Sequence, residues 1–571
     1  MLHLKHLKKI GNQEKLVTRA SGRYYTGELV GRQLATEAAG ACFRASPSQQ
    51  MIRVLDPFGG DGRLIEWLIE AWLQSGFPVV KWDVAIWDLD DVGFDVAKQR
   101  LERLEREYGI NCLATFKEAD AFSKALKNRA AFDVVITNPP WELLKPDRRE
   151  LRYLQEEEKA SYLAKLRDYD QWLGKHYPLS QPRRKFAGWG TNLSRVGLEA
   201  SLSLLKKNGV LGAVLPASMF ADDQSRLLRE HVLTQNLLLS TNYYPAEAKV
   251  YGSADVESVA VTLVAGARSS SSLKISSYNV GERRLKSSIV SFDRESLRQN
   301  GYVIPVSFGS ELLGIAQDLS LRFPAWSSLE SAGSGGLWAG RELDETGISQ
   351  WLDRPTSAKD PMFIKGRMIG RYSRLLERPQ YAVRKPGWSC PSSVCTSRIA
   401  WRDVSRPSQK RRMIATIVGP GLIAGNSVGV AYFRDLSEVP LRALLGVMNS
   451  MCFEFQLRAH LATAHVSLSS LRKVAVPSLE QLYGASVLAR LVSSALDSCD
   501  ERAPEVDAYV ACRIYGLGEA EYCAILKSFS YLSEDEREAH LAFYRKFARK
   551  KSSARVKVTG RRMMEKLCEA V

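Results

Sequence analysis

The tetrapeptide Asn138-Pro139-Pro140-Trp141 brings together groups that could hold a planar amine. Asn138 offers a side-chain amide oxygen, and Pro139 offers a carbonyl oxygen where two consecutive prolines fix the backbone. Trp141 adds a flat apolar face on which a ring could stack. Two hydrogen-bond acceptors beside an aromatic ring predict a binding site for a planar group with an NH₂, with an ordinary turn as the alternative.

A glycine-rich turn lies upstream in VLDPFGGDGRLIEWLI, where Asp56 and Pro57 precede Gly59 and Gly62. An apolar stretch precedes this turn and a helical pattern follows it, which is the strand–turn–helix layout of nucleotide-binding α/β proteins. Small residues let a ligand approach the backbone and the helix N-terminus. In the alternative interpretation, the glycines only let the helix pack closely on its strand.

Acidic side chains follow the next two predicted strands, Asp88 in AIWDLDD and Asp120 in KEADAF. Ligands bind an open α/β sheet at the carboxyl ends of its strands. Asp88 is therefore placed to accept hydrogen bonds from two ribose hydroxyls, and Asp120 could accept one from an exocyclic amine beside Phe122. Asp120 could instead cap a helix and Phe122 could belong to the core, and a loop or cap role is the preferred interpretation for Asp90 and Asp91.

Short β-like stretches alternate with amphipathic ones between residues 51 and 265, which predicts an α/β doubly wound sheet of parallel strands with helical crossovers. Helices are predicted in GRLIEWLIEAWLQSG and DVAKQRLERLEREYG, which separate the first three strands. The predicted strands are MIRVLD (51–56), WDVAIWD (82–88), ATFKEAD (114–120), FDVVITN (132–138), GVLGAVLP (209–216), LLLSTNYY (237–244) and SVAVTLVA (258–265).

Asp-Pro-x-x-Gly-x-Gly followed by Asn-Pro-Pro-aromatic resembles the amino-group DNA methyltransferases that use S-adenosylmethionine, in the motif order of their gamma subgroup, the N6-adenine type. The resemblance covers about residues 20–265 and extends more loosely through SRIAWRDVS and the C-terminal helices. It implies a Rossmann-like, seven-stranded methyltransferase sheet with a separate target-recognition region and a helical tail. Asparagine rather than serine at the start of the second motif favours adenine N6 over cytosine N4.

The resemblance also implies a role for each matching residue. Asn138 and the Pro139 carbonyl would accept the N6 hydrogens of a flipped adenine in the Asn138–Trp141 turn, and Tyr251 would pack on the face of the base opposite Trp141. Gly27 stands where this family usually has proline. The residues implied for S-adenosylmethionine are Tyr25, Thr26, Asp56, Pro57, Gly59, Gly62, Asp88, Asp120, Phe122 and Asn138.

The net charge of +17 is concentrated in one segment: residues 351–450 hold 17 Lys and Arg against 6 Asp and Glu, an excess of 11. Basic residues there interleave with tyrosine and tryptophan, which predicts contact with double-stranded DNA, although a solvated charged face is the alternative. His460 and His465 are interpreted as packing or phosphate-contacting residues rather than metal ligands. The predicted DNA-binding residues are Arg367, Arg371, Arg398, Arg402, Lys410, Arg411 and Arg412.

The nine cysteines are odd in number and scattered, which favours a cytoplasmic location, and none stands at metal-ligand spacing. Neither a signal sequence nor an apolar run of about 18 residues occurs, so a membrane span is not expected. Domain boundaries are predicted near 268 and 480: a methyltransferase domain over 1–268, a target-recognition region over 269–480 and a helical region over 481–571.

The predicted function is site-specific N6-adenine methylation of DNA within a restriction–modification or defence system. A methyltransferase acting on RNA or on protein glutamine remains an alternative, as does a catalytically inert specificity subunit. The glycine motif begins too near the N-terminus to leave room for a nuclease, and no acidic–acidic–Lys site follows. Any cleavage is therefore expected from a separate endonuclease.

Overall fold

The computed structural model describes residues 26–146, 151, 154–182, 185, 190–251, 256–267, 270–357, 360–374, 381–406, 409–461, 464–498 and 501–549. The chain divides into two compact units, Met1–Ser310 and Glu311–Val571. Tyr25, which the sequence predicts to contact the cofactor, lies outside the described residues.

The first unit contains nine described strands: β1 Met51–Asp56, β2 Lys81–Asp88, β3 Asn111–Glu118, β4 Phe132–Thr137, β5 Leu205–Pro216, β6 Asn236–Tyr244, β7 Ser258–Ala265, β8 Ser272–Asn279 and β9 Arg284–Ser291. They form one sheet in the order β3-β2-β1-β4-β5-β7-β6-β8-β9. Strands β1 to β5 are parallel where they pair, whereas β7 runs antiparallel to both β5 and β6.

Helices follow most of these strands, and the first three share one core with the sheet. Apolar side chains of the first three helices, such as Leu34, Leu68 and Leu101, are buried against Ile52 and Trp82 of the sheet. The described helices of this unit are α1 Glu28–Ala45, α2 Arg63–Gln74, α3 Phe94–Tyr108, α4 Ala121–Ala125, α5 Glu156–His176, α6 Leu193–Leu204, α7 Arg226–Gln235 and α8 Arg294–Gln299.

The predicted α/β sheet is confirmed, and each of the seven predicted strands is present within a few residues of its predicted bounds. Three features differ from the prediction. Strand β7 runs antiparallel to β5 and β6, whereas parallel strands were predicted. The sheet has nine strands because β8 pairs parallel with β6 and β9 continues it antiparallel. The predicted boundary near 268 consequently falls inside the first unit, in the short connection between β7 and β8.

The second unit begins at Glu311, within α9 Ser310–Arg322, and continues through α10 Trp326–Ser331 into short strands. These are β10 Leu337–Gly340, β11 Leu352–Asp353, β12 Met362–Ile364, β13 Ile369–Gly370, β14 Ser373–Arg374, β15 Tyr381–Val383, β16 Arg398–Arg402, β17 Ala415–Val418, β18 Ile423–Ala424 and β19 Val428–Phe433. They form two four-stranded sheets, β10-β19-β16-β17 and β11-β15-β12-β18, and the pair β13-β14.

Helices complete the second unit. They are α11 Glu438–Met448, α12 Met451–Arg458, α13 Leu468–Leu471, α14 Leu479–Tyr483, α15 Ser486–Asp497, α16 Ala503–Tyr509, α17 Glu519–Lys527 and α18 over 534–549. The predicted boundary near 480 is not a division between compact units, because α15 packs on α11. Between α16 and α17 the chain passes through Gly516, which takes a left-handed φ of 63°. In the described residues of both units, no helix has the length and apolar character needed to cross a membrane.

Candidate active site

The glycine turn after β1 is fastened to the end of β2 by two hydrogen bonds. The Gly59 N–H donates to the Trp87 carbonyl over 2.9 Å, and the Gly60 N–H donates to Asp88 Oδ2 over 3.0 Å. Asp88 Oδ1 also accepts from the Asp90 N–H at 3.3 Å. Asp88 therefore holds the glycine turn in place and lies at the carboxyl edge of the sheet.

Gly59 and Gly62 are required for packing. A Cβ at Gly59 would lie 2.5 Å from Ile86 Cγ2, and a Cβ at Gly62 would lie 2.7 Å from the Cβ of Ala97 on α3. Gly62 also takes a left-handed φ of 73° as it begins α2. Both glycines thus permit close packing, which was the alternative interpretation of this turn. The acids at the sheet edge are the features that point to a ligand.

Asp56 is buried at the end of β1 and accepts two hydrogen bonds through Oδ1. The donors are Thr137 Oγ1 at 2.7 Å and the Phe58 N–H at 3.1 Å. Burial raises the pKa of Asp56 to about 7, against these two hydrogen bonds, which lower it. Asp56 is consequently a carboxyl group that changes protonation near neutral pH.

Asp120 combines the helix-cap role with a position at the sheet edge. Its side chain caps α4 by accepting from the Phe122 N–H at 3.0 Å, and Tyr169 donates to its second oxygen at 3.3 Å. Burial raises the pKa of Asp120, although these hydrogen bonds oppose the rise. Tyr169 lies on α5, a helix that was not predicted from the sequence, and only the fold brings it close to Asp120.

Phe122 lines an aromatic wall beside Asp120. Its ring centroid lies 5.4 Å from that of Phe58 and 6.2 Å from that of Tyr177. The Tyr177 hydroxyl donates to the Phe122 carbonyl over 2.5 Å. The wall thus joins the glycine turn, through Phe58, to the acid that follows β3.

The Asn138–Trp141 turn directly follows β4, which lies beside β1 in the sheet. The chain after this turn is held by backbone hydrogen bonds to the start of α6. Leu193 N–H donates to the Glu142 carbonyl, and Leu144 N–H donates to the Thr191 carbonyl, each over 2.8 Å. The turn is therefore fixed on both sides, by β4 before it and by the start of α6 after it.

Trp141 and Tyr251 meet in space, although 110 positions separate them in the chain. Their ring centroids are 5.0 Å apart and the ring planes are inclined by 69°, an edge-to-face contact. The sequence predicts that these rings lie on opposite faces of a base. In the present arrangement they contact each other, so a base could lie between the two ring faces only if one ring turned.

The segment before α1 lies close to Tyr251. Arg63 Nη1 donates to the carbonyl of buried Thr26 at 3.3 Å. Gly27 has φ −65°, a value that proline also adopts, but a Cβ here would lie 2.9 Å from the Val250 carbonyl oxygen. Glycine at 27 thus allows the residue before Tyr251 to approach the start of α1.

The groups at this edge of the sheet suit S-adenosylmethionine in the chemistry they offer. The ammonium, ribose hydroxyls and exocyclic amine of that molecule are hydrogen-bond donors, and Asp56, Asp88 and Asp120 are acceptors near neighbouring strand ends. Phe122 supplies an apolar surface beside the last of them. No cluster of three or more His, Cys, Asp or Glu suited to a metal ion occurs within the described ranges.

In the second unit, the structure removes Arg398 from the predicted DNA contacts. Its guanidinium is fully buried and donates to both carboxylate oxygens of Glu342, over 2.6 and 2.9 Å. Backbone carbonyls of Thr396 and Gly419 accept from its Nη1. Arg398 is thus an internal ion-pair residue, which a count of charges along the sequence cannot distinguish from a surface one.

The same correction applies to Arg411 and Arg412. Arg411 Nε donates to Glu454 Oε2 over 2.7 Å, and the buried Arg412 donates through Nη2 to the Ser405 carbonyl over 3.1 Å. Burial opposes ionisation of Glu454, but the charges of Arg411 and Arg458 outweigh it and lower the pKa of this carboxyl to about 2. Arg411 and Arg458 thus neutralise an internal carboxylate, and Arg412 donates to a backbone carbonyl.

The remaining predicted DNA contacts differ in exposure. Arg367 and Lys410 are exposed, and Lys410 pairs with Glu536. Arg371 is largely buried, with Nη1 3.7 Å from Asp507, and Arg402 donates through Nε to the Ile369 carbonyl over 2.6 Å. Arg367 and Lys410 are therefore the predicted DNA contacts that are exposed.

The first unit is an α/β domain with acidic side chains near the carboxyl ends of neighbouring strands. Residues 93–251 match the family model described as Eco57I restriction-modification methylase. A comparison with curated protein sequences gives no match.

Solved structures of restriction–modification enzymes resemble the chain at low identity. The type IIL enzyme MmeI in complex with DNA is 13% identical, with a TM-score of 0.49 over 94% of this chain and 78% of that one. The type IIG restriction endonuclease BpuSI is 13% identical, with a TM-score of 0.42 over 93% and 67%. A type I methyltransferase subunit from Streptococcus thermophilus is 13% identical, with a TM-score of 0.33 over 51% and 62%. The chain thus spans about two thirds of the length of the last two.

Proposed function

We propose that this protein is a DNA methyltransferase of a restriction–modification or phage-defence system that transfers a methyl group from S-adenosylmethionine to N6 of adenine. The observation that carries the proposal is the Asn138–Trp141 acceptor turn at the end of β4, beside the strand that ends in Asp56. Asp88 and Asp120 lie at the same edge of the sheet. The match of residues 93–251 to a restriction-modification methylase family supports the proposal.

In the proposed reaction, the chain acts mainly by positioning the acceptor amine. Asn138 Oδ1 and the Pro139 carbonyl accept the two N6 hydrogens, which draws the nitrogen lone pair out of conjugation with the adenine ring. The amine then becomes the nucleophile, and S-adenosylmethionine, when bound, would supply the methyl group by cleavage of its S–CH3 bond, with S-adenosylhomocysteine as the leaving group. The methylated N6 loses one proton to solvent. Holding the reacting atoms in line is the principal catalytic effect.

Adenine must leave the duplex to reach this turn. Unstacking and unpairing a base costs a few kcal/mol, which contacts in the pocket must offset. Trp141 and Tyr251 provide the rings for that purpose, provided that their edge-to-face contact opens to admit the base. The binding of adenine is therefore proposed to separate these two rings.

Double-stranded DNA is the proposed partner, gripped through basic side chains of the second unit. Arg367 and Lys410 are the proposed contacts that remain after the buried arginines are set aside. Cleavage, where it accompanies methylation, is assigned to a separately encoded endonuclease, and the scattered cysteines favour a cytoplasmic location.

The test is transfer of a labelled methyl group to duplex DNA, RNA and protein by the full-length chain. We expect label in DNA alone, recovered as N6-methyladenine after digestion to nucleosides. The Asn138→Ala variant is the control for a contaminating activity and should transfer none. Label confined to RNA or to glutamine side chains would overturn the proposed substrate, and a wild-type chain that binds no S-adenosylmethionine would overturn the enzymatic role.

A further inference from the structure

Gly197 lies in the middle of α6, directly against the acceptor turn. A Cβ at this position would lie 2.4 Å from Pro139 Cβ and 3.2 Å from Pro139 Cγ. Real side chains do not approach so closely, so any side chain here would have to displace the proline or the helix. The backbone of α6 and Pro139 are therefore in contact only because residue 197 is glycine.

Contacts hold the helix near Gly197. Asn192 caps its first turn by accepting from the Ser194 N–H at 2.9 Å. Two residues after Gly197, Glu199 Oε2 accepts from the Ser180 N–H at 2.8 Å. An added methyl group at 197 would therefore change the position of Pro139 relative to α6.

Phe58 of the glycine turn lies on the other side of the same position. The Cβ at Gly197 would be 3.4 Å from Phe58 Cε2, which is ordinary van der Waals contact. A methyl group at 197 would thus collide with the acceptor turn and merely touch the wall of the cofactor site. A methyl group at 197 is therefore expected to affect the position of the reacting amine and to leave cofactor binding unchanged.

We propose that Gly197 is a positioning residue, which sets the place of the Pro139 carbonyl and hence of one of the two acceptors for the amine. The proposal rests on the proposed function, because it assigns that carbonyl to the acceptor amine. Gly197 itself does not contact the substrate. Its contribution is the close approach of α6 to the turn, and a displacement of a reacting group by about 1 Å is enough to reduce a rate by roughly 10²-fold.

The test is the Gly197→Ala variant of the full-length chain, measured for kcat, for the dissociation constant of S-adenosylmethionine and for melting temperature. We expect kcat to fall by tenfold or more while the dissociation constant changes by less than twofold. Gly212→Ala is the matched control. It adds a methyl group on β5, 3.3 Å from Leu34 Cδ1 and 3.4 Å from Ile136 Cγ1, where the same sheet is packed but the turn is not touched.

A purely structural role for Gly197 predicts a different result. It would lower the melting temperature and leave kcat of the folded fraction unchanged, as in the Gly212→Ala control, and that outcome would overturn the proposal. A parallel rise in the cofactor dissociation constant would also overturn it, because the methyl group would then act through Phe58. Failure of the proposed function would give a different result, because the wild type would then methylate another product. The kcat of the wild type for that product could still be compared with the kcat of Gly197→Ala.

A second pair of variants serves if Gly197→Ala does not fold. Pro139→Ala removes Cγ and the ring closure, which lets the turn move away from a methyl group at 197. The double variant Gly197→Ala, Pro139→Ala should then fold and transfer at least tenfold more slowly than Pro139→Ala alone. Equal rates in these two proteins would overturn the positioning role.

Discussion

Thr137 Oγ1 donates a 2.7 Å hydrogen bond to Asp56 Oδ1, and both side chains are buried. Asp56 ends β1, where the glycine turn begins, and Thr137 ends β4, where the acceptor turn begins. The two strands are parallel neighbours in the sheet. The relative position of the two turns therefore depends on this side-chain bond as well as on the strand pairing.

Replacing Thr137 by valine should destabilise the protein. Valine keeps the β-branched shape but removes the hydroxyl donor, which leaves a buried carboxyl with one donor fewer. We expect the free energy of unfolding to fall by about 1–3 kcal/mol, measured by urea denaturation at pH 7. Thr137→Ser, which keeps the hydroxyl, separates this effect from lost packing, and a valine variant as stable as the wild type would show that the bond contributes nothing.

The raised pKa of Asp56, about 7, makes stability depend on pH. The folded protein holds this proton more tightly than the unfolded chain does, so the contribution of Asp56 is fully present below about pH 4 and is lost as the pH rises through the folded pKa. Asp56→Asn has no such proton. The stability of the wild type minus that of the variant should fall between these pH values, by at most about 1.4 kcal/mol per pH unit. A pH-independent difference in urea titrations would mean that Asp56 is ionised in the folded protein.

Asn138→Ala should reduce methyl transfer far more than cofactor binding. The variant removes one of two acceptors aimed at the reacting amine, and loss of one such preorganised group typically costs about 10²–10³-fold in rate. Titration with S-adenosylmethionine should show a much smaller change in the dissociation constant, because Asn138 is one of several residues implied for the cofactor. Asn128→Ala is the control, because Asn128 only donates to the Lys124 carbonyl. Undiminished transfer by Asn138→Ala would remove this residue from the proposed site.

Asp88→Ala should mainly weaken cofactor binding, whereas Asn138→Ala should mainly slow methyl transfer. Asp88 is proposed to accept from the ribose hydroxyls, and it also fixes the glycine turn through the Gly60 N–H. We expect the dissociation constant for S-adenosylmethionine to rise by roughly tenfold or more, since each lost hydrogen bond is worth about 1 kcal/mol. The exposed Asp91, replaced by alanine, is the control. Unaltered cofactor affinity in Asp88→Ala would contradict the assignment.

Local patterns in the sequence were enough to predict the first seven strands of the sheet. Most of these strands are apolar runs with turn residues at their ends, and this pattern does not depend on distant contacts. The last two strands were missed because β8 and β9 carry several serine and lysine residues, in SLKISSYN and RLKSSIVS. Their place in the sheet depends on pairing with β6, which the local pattern does not encode.

The acceptor turn could be predicted because its four residues are contiguous. The residues of other helices that contact this turn or Asp120 could not be predicted. Tyr169 and Gly197 come from α5 and α6, and only the folded chain brings them to Asp120 and Pro139. In the basic segment, residues 351–450, the prediction was wrong about which arginines are exposed. Its charges were predicted as one surface, but partners outside the segment, Glu342 and Glu454, take up Arg398 and Arg411 in the interior.

Buried and exposed arginines are therefore expected to affect different properties. A buried arginine should affect stability, and an exposed one should affect DNA binding. Arg398→Ala leaves Glu342 buried without its partner, so we expect a loss of about 3–5 kcal/mol in the free energy of unfolding. Arg367→Ala should leave stability within about 0.5 kcal/mol of the wild type, because Arg367 is exposed.

The same Arg367→Ala variant tests the proposed grip on DNA. A lost phosphate contact should weaken binding of a duplex and reduce the slope of log affinity against log salt by about 0.9, measured by fluorescence anisotropy. Cofactor binding should respond little to salt, because its acceptors are at least partly buried at the sheet edge. Arg354→Ala is the matched control, since Arg354 is also exposed and was not predicted as a contact. Identical salt slopes for wild type and Arg367→Ala would exclude Arg367 from the phosphate contacts, because a neutralised phosphate must release its counterion.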